Sequence, residues 1–122
     1  MIGTVASNIV VALLVLGVII VIHELGHFIV AKLFKIKVET FSVGFGPRLF
    51  GFRRGETDYR ISAFPLGGYV KMVGEGPDEE VSEEEKAFSF SHKSVGKRML
   101  IVLCGPLFNL FFAIAVFCLG FL

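Results

Sequence analysis

The chain has 122 residues, 54% of them hydrophobic, and a formal net charge of +1. That length allows one small soluble domain or a short membrane protein. With no basic patch clear of neighbouring acids, nothing points to a nucleic-acid partner. The distribution of charge favours the membrane: all 12 Lys and Arg lie within 32–98, and neither flank carries one.

The first flank, 1–31, would be roughly 45 Å long as a helix, more than the ~30 Å hydrocarbon core of a bilayer. Its β-branched residues suit a strand in water. A lone strand in lipid would leave its backbone unpaired, so a helix is expected. Gly17 and Gly26 are small positions where another helix could approach. The segment lacks a basic leader and its apolar stretch is too long for a cleaved signal peptide, so it is expected to remain in the protein.

The run ends in His23-Glu24-Leu25-Gly26-His27. Ionisable groups in hydrocarbon are costly and mark function. At helical spacing His23 and His27 share one face, where two imidazoles can hold one Zn²⁺. Glu24, about 100° round the helix, can serve a nucleophilic water as general base. The pattern points to metal-dependent hydrolysis. A non-catalytic membrane protein that binds metal or substrate is the competing reading.

From residue 38 the pattern becomes short, alternating and glycine-punctuated. Phe41, Val43 and Phe45 alternate with Thr40, Ser42 and Gly44, a period of two. Gly46-Pro47 reads as a turn, 48–52 as a second strand and Arg53-Arg54-Gly55-Glu56 as another turn. Tyr59, Ile61 and Ala63 mark a third strand. Pro65-Leu66-Gly67-Gly68 breaks it, and 69–73 resumes it. The expectation is a small antiparallel sheet with poorly protected edges. Then 74–86, with seven acidic residues from Glu75 to Glu85, reads as a solvated loop.

The second flank, 99–122, would be roughly 36 Å long as a helix. It contains Gly105-Pro106 and Asn109, a polar side chain at membrane depth. Asn109 could join helices or hydrogen-bond a catalytic group or a substrate backbone. Cys104 and Cys118 would lie about 21 Å apart on one helix, beyond disulfide reach.

The expected fold is an α-helical membrane protein with a small inserted antiparallel β-sheet. Two transmembrane helices (1–31 and 98–122) flank a membrane-associated β region (32–74) and an acidic loop (75–97). Lys32, Lys35 and Lys37 follow the first span and Lys93, Lys97 and Arg98 precede the second. The positive-inside rule therefore makes the loop cytoplasmic and puts both termini on the far side. A zinc site also needs a third protein ligand. Asp58 and Asp78 are not clearly at the depth of His23, and His92 reads as a solvated loop histidine.

His23-Glu24-Leu25-Gly26-His27-Phe28 at the end of a first span resembles the site-2 protease family of intramembrane zinc metalloproteases, with the closest likeness to the bacterial regulator of sigma-E protease type. The resemblance continues through Phe41-Ser42-Val43-Gly44-Phe45-Gly46-Pro47 and the stretch from Tyr59-Arg60-Ile61 to Gly67-Gly68-Tyr69-Val70-Lys71-Met72. It ends at Gly105-Pro106-Leu107-Phe108-Asn109.

It implies an inner-membrane, multi-pass protease with Zn²⁺ on His23 and His27, Glu24 as base, and a membrane-anchored protein as substrate, anti-sigma factors among them. It also implies that the sheet dips toward the bilayer and takes substrate by strand addition, with Gly44, Gly46 and Asn109 as substrate-binding residues. The family's third zinc ligand is an aspartate in a later helix, usually beyond PDZ-type domains. The chain resembles only the N-terminal part, so a fragment is expected, with the last ligand coming from a later segment or another chain.

Overall fold

In the computed structural model residues 1–76 and 78–122 are described, with the backbone alone at Pro65; Pro77, inside the expected acidic loop, lies outside the described residues. Helix α1 spans Ile2–Leu33 and helix α2 spans Val95–Gly120. Both are long and apolar enough to cross a membrane. Between them lie strands β1 (Val38–Arg54) and β2 (Thr57–Met72) and two short 3₁₀ turns, Lys86–Phe88 and Phe90–His92. Ser94 caps α2 by accepting from the Lys97 N–H. Pro106 sits inside α2, which continues through it.

The sequence suggested three short strands, the third broken at 65–68 and resumed at 69–73; the chain makes two long, bent ones. Gly46-Pro47 and 65–68 bend the strands without ending them, and only Gly55-Glu56 closes a turn. The reason lies in the backbone. Gly44 and Gly46 adopt φ of +91° and +88°, angles open to glycine at no steric cost, so β1 changes direction while staying paired.

The four segments survive as four pairing stretches. As a pair β1 and β2 are antiparallel, with Phe41 opposite Val70 and Phe52 opposite Tyr59. In Thr40–Asp58, Phe41–Tyr59, Ser42–Arg60 and Val43–Ile61 both numbers rise together, so that stretch runs parallel. The first half of β1 is therefore central, and the outer stretches are 48–54 and 68–72.

Phe28 of α1 packs edge-on against Phe41, with ring centres 5.2 Å apart. The core beneath it joins Ala31, Ile36, Val38, Val70, Met72 and Ile101. Lys32 pairs with Glu56 at the hairpin turn, while Gly67 at the opposite end packs against Ile20. The sheet thus runs beside α1 over 12 helical residues, or about 18 Å. The loop after it is tied down by Lys37 N–H to Phe88 O and Phe90 N–H to Val73 O, both 2.8 Å.

Buried polar groups in the sheet are matched. Thr57 Oγ1 donates to Val38 O at 2.7 Å, and Ser42 and Ser62 share a hydrogen bond at 2.9 Å. Asp58 lies between Arg60 at 2.8 Å and Arg48 at 3.3 Å. Burial alone would raise its pKa, but hydrogen bonds and charge from Arg60 and Arg48 outweigh that and hold the carboxyl below its usual range.

A depressed folded-state pKa gives stability that is complete above the unfolded value of about 3.9 and is lost as pH falls through the folded value. We expect the thermal midpoint of the purified chain to drop on acidification below about pH 4. Asp58→Asn should flatten that part of the profile. An equal slope in the variant, followed by circular dichroism, would count against the role.

Candidate metal centre

The helical repeat puts His23 and His27 on the face of α1 that meets α2. Their Nε2 atoms converge to 3.1 Å, with the ring planes crossed at 82°. Two nitrogens each about 2.0–2.1 Å from one tetrahedral Zn²⁺ would be roughly 3.3 Å apart, so the separation fits a shared ion. With Glu24 they form the cluster of metal-ligating groups, all within 4.8 Å of one another, found among the described residues.

Helix α2 supports both rings. His27 Nδ1 lies 2.7 Å from the carbonyl oxygen of Ile101. That oxygen can only accept, so Nδ1 carries the proton and Nε2 presents its lone pair. The Asn109 amide nitrogen is 3.4 Å from His23 Nδ1. Its Oδ1 is buried without a hydrogen-bond partner among the described residues. Between these two contacts lies Gly105. A Cβ there would stand 2.7 Å from both His23 Nε2 and His27 Nε2, the space a ligated ion and its ligands need.

Gly26 allows the crossing itself, because any side chain there would run into the Cys104 carbonyl. Its small size was legible as a close-approach position. Glu24 is half-buried and brings a carboxylate oxygen within 4.8 Å of both histidine ligand atoms. Gly44 and Gly46 stand at the bend of β1, packed on Phe64, and outside this cluster. Asp58 is held by its arginines and His92 contacts Ser89 and Ser91. Neither they nor Asp78 join the histidines among the described residues.

Comparison with known proteins agrees with this geometry: the profile of peptidase family M50 matches residues 11–122. The chain belongs to peptidase family M50. This bears out the resemblance to site-2 proteases. Similar proteins include one from Clostridium acetobutylicum, 51% identical over 92% of this chain and 32% of its own length. Another, from Thermotoga maritima, is 49% identical over 80% of this chain and 20% of its own. A third, from Vibrio cholerae, is 44% identical over 94% of this chain and 25% of its own. Each bears the name "putative zinc metalloprotease". The chain thus spans a third or less of these M50 relatives.

Sequence reasoning found both histidines and the glutamate but missed Ile101 and the specific part of Gly105. A backbone carbonyl and an absent side chain leave no chemical signature. The only available signal was Gly105-Pro106 placed four residues before a polar residue in an apolar run. We expect Gly105→Ala to weaken Zn²⁺ binding by about tenfold or more, measured by equilibrium competition with a chelator. Unchanged affinity would show that the rings do not need the space above them.

Proposed function

We propose that this chain is the zinc-holding, N-terminal part of an intramembrane metalloendopeptidase that cuts membrane-anchored proteins. The observation that carries the reading is the convergence of two histidine Nε2 atoms at 3.1 Å on a helix long and apolar enough to span a bilayer. M50 membership and the relatives' names support it.

His23 and His27 would hold the ion, with His27 fixed by the Ile101 carbonyl. When bound, zinc supplies a Lewis acid for the scissile carbonyl and lowers the pKa of water toward neutrality. Glu24 takes the proton of the attacking water and delivers it to the leaving amine. Two histidines fill two coordination positions. The third protein ligand would come from a later segment or another chain.

The substrate would enter as an extended segment against the outer stretch 68–72, which packs on α1 through Val70 in the core that includes Ala31. Strand addition there would bring a scissile bond to the base. Gly44 and Gly46 flank Phe45, which stacks on Tyr69 of this edge. Asn109 lines an apolar cavity of about 720 Å³ between Leu14, Val18, Phe112 and Val116, which suits an apolar substrate segment.

Exposed Phe45, Leu49, Phe50, Phe52 and Phe64 on the sheet would rest in lipid. The lysines flanking each helix would keep the loop cytoplasmic in the inner membrane and put both termini outside. Membrane-anchored regulators such as anti-sigma factors are the substrate class.

Glu24→Gln in the full-length protein should lower cleavage of a reconstituted membrane-anchored substrate by at least about 100-fold. Bound zinc should stay near one equivalent per chain. Retained cleavage by this variant would refute the assignment of the base.

A further inference from the structure

Ile101, Gly105 and Asn109 recur every four residues and form one stripe along α2. The stripe runs antiparallel to the HExxH face: Ile101 meets His27, Gly105 meets both rings and Asn109 meets His23. The two ends look different only because one partner is a carbonyl and the other an amide. The oxygen and nitrogen of an amide exchange places by a half-turn, so the hydrogen count must decide which faces the ring.

A ligating His23 must present a bare Nε2, and its neutral ring then carries the proton on Nδ1. A donor at Nδ1 requires an acceptor opposite, and the amide oxygen is the acceptor Asn109 has. With the amide nitrogen at 3.4 Å, Oδ1 is instead buried and unpartnered. A buried amide with an unmatched atom needs a reason.

We propose that Asn109 is a positioning residue for His23. Its Oδ1 accepts from Nδ1–H and so fixes the tautomer that frees Nε2 for metal, as the Ile101 carbonyl does for His27. This rests on the metal-site reading above and adds to it the group that orients the second ligand. The Cβ-free Gly105 between them lets both donors be served from one helix.

The test is metal binding by the full-length protein in detergent micelles, with Zn²⁺ alone as the probe and helix content followed in parallel. Wild type should bind zinc, and His23→Ala should lose it. Asn109→Leu, similar in size but without an acceptor, should bind about 10–100-fold more weakly at unchanged helix content. Asn109→Asp, which keeps an acceptor oxygen, should stay near wild type. Nitrogen-15 NMR of the zinc-bound protein should place the His23 proton on Nδ1 in wild type and Asn109→Asp.

Equal affinity of wild type and Asn109→Leu, or Asn109→Asp binding as weakly as Asn109→Leu, overturns the assignment of Asn109 alone. Zinc uptake by neither wild type nor any variant overturns the metal reading together with it.

Discussion

The close crossing of α2 over the HExxH turn is the contact on which the site depends. Two missing side chains make it possible. At Gly26 a Cβ would collide with the α2 backbone, and at Gly105 one would stand between the histidine nitrogens. Larger residues at either point would push the helices apart, and the Ile101 carbonyl would no longer reach His27. The polar chemistry is thus set by helix packing. In lipid, where burial gives helices little drive to associate, small residues at the crossing are the physical means of bringing two backbones close.

The sheet follows from the same geometry. It is anchored near Lys32 by Glu56 and reaches Ile20 at its other end, so it flanks the turn that carries Glu24. Its polar interior (Thr57, Ser42, Ser62 and Asp58) is matched by hydrogen bonds, whereas Phe45, Phe50, Phe52 and Phe64 are exposed. In water such a face would be an aggregation liability. Beside a helix long and apolar enough to cross a membrane such a face would suit lipid, where exposed apolar groups cost nothing and the buried Thr57, Ser42, Ser62 and Asp58 are already partnered.

Legibility in the sequence varied with how local each signal was. His23, Glu24 and His27 stood out because charge is rare in a 31-residue apolar run. Helix α2 was readable from hydropathy alone. The sheet's alternation was readable too, and so was the Gly55 turn. The pairing was not: Gly46-Pro47 looks like a turn to any local rule, yet β1 bends through it because Phe45 finds Phe64 across the sheet. The parallel stretch from Thr40–Asp58 to Val43–Ile61 is a tertiary outcome with no local cue. Asn109 was visible as polar but its partner was not, since only the helix crossing shows that His23 lies opposite.

The division of labour inside the site follows from counting coordination positions. A catalytic zinc has four, three for protein and one for water or substrate. On the reading proposed above, His23 and His27 would take two, and Glu24 would serve the water without taking a position of its own. One protein position remains. Asp58 is held by Arg48 and Arg60, which lowers its pKa and fixes it in the sheet, so recruiting it would break two ion pairs. His92 is drawn to Ser89 and Ser91. The helix pair therefore does the part that demands orientation, holding two rings with their Nε2 atoms converging. On that reading the remaining ligand would close a site whose orientation the helix pair already sets.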